Sequence, residues 1–155
     1  MTETASLTRR RVVLTTLHTG AAVLLGGFLA RHAAATPDSA AQLLKTLAKG
    51  EPKSGRVTIT APSIAENGNA VPLTIGVDSP MTDADHVKAI HIVADGNPNP
   101  GVASFQFTPL AGKAEVQLRV RMAQTQNILA VAEMRDGSLW SAAREVKVTI
   151  GGCGG

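Results

Sequence analysis

The side chains with the chemistry to act on a substrate are few: Cys153, His86 with Asp83 and Asp85, and His91. Cys153 is the single cysteine and stands within Gly151-Gly152-Cys153-Gly154-Gly155, directly after the alternating run EVKVTI. Glycine on both sides leaves φ and ψ free, and a segment this bare cannot bury enough surface to order itself. The spacing predicts a mobile arm over residues 151–155, with a span of about 12 Å as a coil and about 17 Å when stretched. A thiol reacts as its thiolate, and the tail holds no Lys, Arg or His to favour that form. Such a cysteine is a poor catalyst and a good covalent handle, activated by whichever enzyme it enters.

The other candidates read as structural. His86 ends the stretch TDADH but lacks the ligand spacing of a zinc site, so an exposed acidic turn is expected. His91 lies inside AIHIVA, where a buried or edge-strand histidine is expected. There is no nucleophile elbow and no glycine-rich phosphate loop. No catalytic residue, metal or cofactor is expected in the body, which reads as a scaffold. Trp140 is expected to pack in the core or on a contact surface.

The elements that must present the tail follow from the periodicity. Arg9, Arg10 and Arg11, an apolar run from Val12 to Leu29 and the small residues Ala33, Ala34 and Ala35 have the order of a cleaved export signal. The Arg9-Arg10 pair resembles a twin-arginine signal, which predicts cleavage near Ala35 and a periplasmic location with no membrane anchor. The whole chain has 15 basic and 12 acidic side chains, but loss of Arg9, Arg10, Arg11, Arg31 and Glu3 makes the numbers equal. No basic footprint for nucleic acid remains. Residues 36–50 read as a short helix, capped by Asp38 or Ser39, with Leu43, Leu44 and Leu47 on one face that must dock on its own domain or on a partner. Over residues 55–150 the period changes to two. Seven strand candidates alternate with turn signals such as Asn67-Gly68, Asp95-Gly96 and Asp136-Gly137. In EVQLRVR, Val116, Leu118 and Val120 fall on one face. The expected fold is all-β: an immunoglobulin-like antiparallel sandwich with a short N-terminal helix and a C-terminal arm.

With these residues in place, the chain resembles the SoxY family, the sulfur carriers of periplasmic thiosulfate-oxidising Sox systems. The resemblance rests on the terminal GGCGG, on APSIAENGNAVPLTIGV (61–77), on HIVADGNPNPGVASF (91–105) and on DGSLW. It implies a heterodimer with a SoxZ-like subunit and a carrier cycle on Cys153. A SoxXA-like haem enzyme would join thiosulfate to the cysteine sulfur, and a SoxB-like hydrolase would release sulfate and leave a persulfide. A SoxCD-like sulfane dehydrogenase would oxidise the remaining sulfur where present. The protein itself would not be an enzyme.

Two other readings compete on the residues alone. One is an exported structural or adhesive sandwich whose tail thiol forms an intermolecular disulfide, although a crosslink gains nothing from a loose arm. The other is a carrier that uses Gly155 as a thiocarboxylate, as ubiquitin-like proteins do. That fold needs a helix amid the strands, and its chemistry is cytoplasmic.

Overall fold

The computed structural model describes residues 37–152. The expected export signal lies outside the described residues, as do Cys153, Gly154 and Gly155. No helix among the described residues is long and apolar enough to cross a membrane.

Helix α1 spans Pro37–Leu47. Proline opens it, at a position where a backbone N–H has no intrahelical partner to lose. Asp38 and Ser39 therefore sit inside the first turn and not at the cap, where the Asp38 charge still suits the helix dipole. Ala40 and Ala48 are buried, Leu43 and Leu44 are half-buried and Leu47 stays exposed. Leu44 and Ala48 pack with Val131 and Leu139 of the sheet beneath, and Leu43 rests on Gly101. The leucine face thus docks largely on its own domain. The helix ends before Gly50, whose φ of +141° an L residue would resist.

Nine strands follow: β1 (Lys53–Ser54), β2 (Val57–Thr60), β3 (Ile64–Asn67), β4 (Val71–Val77), β5 (Val87–Ala94), β6 (Gly101–Gln106), β7 (Ala114–Val120), β8 (Gln126–Met134) and β9 (Leu139–Ile150). One sheet runs β1-β9-β8-β5-β6, with β3 also on β9; the other runs β2-β4-β7. The pairings are antiparallel except those of β1 and β3 with β9. The two sheets form the immunoglobulin-like sandwich, and all seven sequence-derived strands are present. The short β1 and the weakly patterned IAEN of β3 are additions.

The core lies between the sheets. Alternation in β4 turns Val71, Leu73, Ile75 and Val77 inward, against Ile90, Ile92, Ile128, Met134 and Val146 of the larger sheet. Each such side chain, fully buried, stabilises the fold by about 1.5–3 kcal/mol relative to exposure. On β7, Val120 is buried, whereas Val116 and Leu118 are half-buried because β7 is the edge of the smaller sheet. β5 is buried on both faces, since α1 packs on its far side. Its near-continuous apolar run follows from that double burial.

Candidate functional site

The tail leaves the body at a site built from three distant stretches of chain. Parallel pairing of β3 with the end of β9 sets Ala65 beside Val148 and Asn67 beside Ile150. The 3-10 turn Gly68–Ala70 therefore lies next to the residues that follow Ile150. Asn67 caps this turn, its side-chain oxygen accepting from the Asn69 N–H at 2.9 Å. The Gly68 carbonyl accepts from Met122 N–H at 2.7 Å, and the Met122 carbonyl accepts from Gly152 N–H at 2.9 Å. Gly68, Met122 and Gly152 are thereby tied in sequence, and all three are buried.

These positions require glycine. A Cβ on Gly68 would lie 2.2 Å from the Met122 carbonyl oxygen and 2.7 Å from the Gly152 nitrogen. On Gly151 it would lie 2.1 Å from the Ala123 carbonyl oxygen. On Gly152 it would lie 2.9 Å from Arg121 Cγ, 3.0 Å from the Gly68 carbonyl oxygen and 3.1 Å from Asn69 Oδ1. The arm is expected to be mobile over residues 151–155; within it, Gly152 is buried and Gly151, though exposed, has the Ala123 carbonyl oxygen too close for a side chain. Absence of a side chain here permits close backbone approach as well as conformational freedom. Cys153, the expected attachment residue, is the next along the chain and, with Gly154 and Gly155, lies outside the described residues.

The Met122–Ala123 segment is itself held by the loop DGNPNPG. Asn97 donates through Nδ2 to the Arg121 carbonyl at 2.7 Å, and its Oδ1 accepts from Ala123 N–H at 3.0 Å and from Gln126 Nε2 at 2.8 Å. Gln126, buried, accepts in turn from Gly96 N–H at 2.7 Å. Asp95 accepts from the backbone and side chain of Asn127. These polar groups satisfy one another, so the loop is a rigid bracket behind the exit.

Arg121 and Arg119 add positive charge at this exit. Both side chains belong to the exposed surface. Arg119 Nη1 reaches the Ala70 carbonyl at 3.5 Å, and the Arg121 stem covers Gly152. Among the described residues no carboxylate forms an ion pair with either arginine. The tail sequence contains no cation, but the fold sets the aliphatic stem of Arg121 against Gly152. Nothing local in the sequence could have indicated this, because residues 121 and 152 are joined only by the tertiary structure.

The histidines lie elsewhere. His86 is buried and not exposed as expected; its Nδ1–H donates to the Thr82 carbonyl at 2.9 Å. Its neighbour Asp85 pairs with Arg56, Oδ2 to Nη2 at 2.8 Å, and this hydrogen bond raises the guanidinium pKa further. Arg56 in turn lies over the half-buried Trp140 ring, 5.8 Å from its centroid. His91 is buried on the outer face of the larger sheet, opposite Val131, with Nδ1 2.8 Å from Ser104 Oγ. Burial lowers its pKa, opposed by the charge of Glu133. No group of three or more His, Cys, Asp or Glu residues gathers among the described residues in a way that could hold a metal ion.

The fold and this exit define a small all-β sandwich whose last described residues, bare of side chains, lie against its body. A family model described as sulfur oxidation protein SoxY matches residues 42–153. The chain belongs to the SoxY family. It is similar to the solved structure of the sulfur carrier protein SoxY from Chlorobium limicola f thiosulfatophilum, with 37% identity, 74% of this chain and 100% of that chain covered, and a TM-score of 0.62. The superoxide reductase (neelaredoxin) of Ignicoccus hospitalis is 22% identical over 73% of this chain and 93% of its own, with a TM-score of 0.53. That likeness shows the fold alone. No curated protein sequence matches the chain.

Proposed function

We propose that this chain carries sulfur intermediates covalently on Cys153 during periplasmic oxidation of thiosulfate to sulfate, and presents them to partner enzymes without catalysing a step itself. Its family membership supports a role in sulfur oxidation. The observation that carries the finer reading is that the family match ends on the chain's single cysteine, directly after the glycines packed at the exit.

The Cys153 thiol loses its proton and joins the outer sulfur of thiosulfate while two electrons pass to a haem enzyme of the SoxXA type. The product is a cysteine S-thiosulfonate, which bears one negative charge. Water then attacks the sulfonate sulfur in a SoxB-type hydrolase, releasing sulfate and two protons and leaving a persulfide on Cys153. A SoxCD-type sulfane dehydrogenase, where present, would oxidise that remaining sulfur. A SoxZ-type subunit is the expected stable partner, and a twin-arginine signal over residues 1–35 accounts for export after folding. Neither a nucleic-acid partner nor a membrane anchor belongs to this reading.

The exit geometry bears on delivery. With Gly151 and Gly152 docked, the three residues beyond them reach at most about 10 Å from the body; with the glycines released, five reach about 17 Å. Among the described residues, docking rests on one backbone hydrogen bond from Gly152 and on close packing. Such a bond is worth about 0.5–1.5 kcal/mol net, so a docking enzyme can draw the root out at small cost. Replacing Cys153 with Ser is expected to abolish thiosulfate-dependent electron transfer in the reconstituted system while leaving the fold and partner binding intact. Normal turnover by that variant would overturn the proposal.

A further inference from the structure

We propose that β7 is a self-complementary edge, through which two copies of this chain pair antiparallel about Gln117 and join their smaller sheets into one. This goes beyond the carrier reading and does not depend on it.

The first observation is an unguarded edge. Among the described residues β7 has a neighbouring strand on one side only, β4, so the backbone N–H and C=O groups of its alternate residues point away from the sheet. The other edges carry the protections that natural sheets use against pairing. β1, β2 and β3 are two to four residues long. β6 follows Pro98 and Pro100, and its register against β5 shifts. β7 runs for seven residues without proline, glycine or any register shift against β4.

The second is a pattern that reads the same from a two-fold axis. Val116 and Leu118 stand beside the buried Ile75 and Leu73 and are half-buried against the core. Glu115, Gln117 and Arg119 stand beside Gly76, Thr74 and Pro72 on the outer face. With the axis at Gln117, Glu115 meets Arg119 of the second copy, and symmetry repeats that contact. Gln117 then meets Gln117, and Val116 meets Leu118. Lys113 and Arg121 lie beyond the ends of the strand. Other registers match less well. An axis at Val116 opposes Lys113 to Arg119, and an axis at Leu118 takes Glu115 to Arg121, past the strand end. A register shifted by one residue sets core-facing side chains against solvent-facing ones.

The third is availability. Arg119 is exposed, forms no ion pair among the described residues and only reaches the Ala70 carbonyl at 3.5 Å. Glu115 pairs with Lys113, whose side chain is 74% exposed, so water screens that pair and a second cation can share the carboxylate. Pairing would add about six to eight ladder hydrogen bonds and cover Val116 and Leu118. The two tail exits follow β7 at Met122, five residues from the axis. They would stand about 34 Å apart at opposite ends of the joined ladder, so neither obstructs the other.

The test uses the protein purified alone and kept reduced. Sedimentation velocity should show a weak monomer–dimer equilibrium, half associated at about 10–100 µM, because an edge-to-edge ladder is smaller than a standard interface. Glu115→Arg and Arg119→Glu each turn two attractive contacts per dimer into repulsive ones and should raise the dissociation constant about tenfold or more. An equimolar mixture of the two variants should dimerise about as well as the native chain, since each reversed charge then meets its opposite. In the native chain, amides of β7 should gain hydrogen-exchange protection as concentration rises, while those of β2 and β6 do not; this measurement needs no variant. A native chain that stays monomeric at about 300 µM overturns the proposal, including the case in which an unlike subunit covers β7 instead. Dimerisation that leaves β7 unprotected, or folded variants that fail to associate when mixed, also overturns it. None of these outcomes bears on whether Cys153 carries sulfur.

Discussion

Gly151→Ala should release the tail root without unfolding the sandwich. The added methyl would lie 2.1 Å from the Ala123 carbonyl oxygen and 3.1 Å from its carbon. Ordinary carbon–oxygen contact begins near about 3.3 Å, so roughly an ångström of backbone movement is required. Ala123 cannot easily yield, because its N–H is bound to Asn97 Oδ1 at 3.0 Å and the neighbouring Met122 to Gly68. Forcing the methyl into the packed site would cost about 1–3 kcal/mol. Lifting the root forfeits the Gly152 to Met122 hydrogen bond at about 0.5–1.5 kcal/mol. The cheaper route prevails, so the expected loss of stability is about 1 kcal/mol, confined to the exit. By amide hydrogen exchange, the Gly152 N–H should exchange about five- to tenfold faster, while amides of β5 and β8 speed up only where they exchange through global unfolding, and then by no more than that factor. Gly76→Ala is the control: its new Cβ would meet nothing nearer than Glu115 Oε2 at 4.0 Å, and alanine should be neutral or stabilise the strand by up to about 1 kcal/mol. Native protection of the Gly152 amide in Gly151→Ala, together with an unshifted urea midpoint, would refute the packed-root reasoning.

The remaining predictions concern the body. The lowered pKa of His91 means that, below its ordinary value of 6.5, the unfolded chain takes up a proton that the folded chain resists. Stability is thus full above that pH and falls as pH drops from it through the folded value. His91→Gln, which can still hydrogen-bond Ser104, should flatten this acid limb in urea titrations between about pH 7 and 5; an unaltered slope would exclude His91 as its source. Arg56 adopts φ +51° while pairing with Asp85 and covering Trp140. Arg56→Ala loses both contacts and keeps the left-handed strain, whereas Arg56→Gly loses them and relieves it. The glycine variant should therefore melt higher, by the equivalent of about 1 kcal/mol, and equal melting temperatures would show that the strain is absent.

Much of the fold was legible because its signals are local. Alternation in VPLTIGV and AEVQLRV, with Asp-Gly and Asn-Gly between runs, marks strands that depend on a two-residue period and a tight turn. β3 escaped because IAEN buries only Ala65 and leaves Ile64 exposed, so its pairing with β9 has no amphipathic signature. Helix α1 was found, but its docking surface was not, since Val131 and Leu139 announce only that they are buried. At the exit, the sequence pointed to the terminal residues but not to what the glycines before Cys153 lie against. Bareness in a one-dimensional reading suggests freedom; the fold adds a second reason for it, since the Ala123 carbonyl lies too close to Gly151, and the Gly68 carbonyl with the Arg121 and Asn69 side chains too close to Gly152, for a methyl to enter without displacement. That contact spans more than 80 residues of chain for Gly68, and no local pattern encodes it.

The most direct test of the carrier claim is the intact mass of the native protein, taken from cells grown on thiosulfate and measured before and after a thiol reductant, with fragmentation to place the modification. A thiosulfate-dependent gain in mass, removed by the reductant and confined to the fragment bearing Cys153, is expected. Sulfur bonded elsewhere, on the Gly155 carboxylate for instance, or a protein that stays unmodified while thiosulfate is consumed, would contradict it.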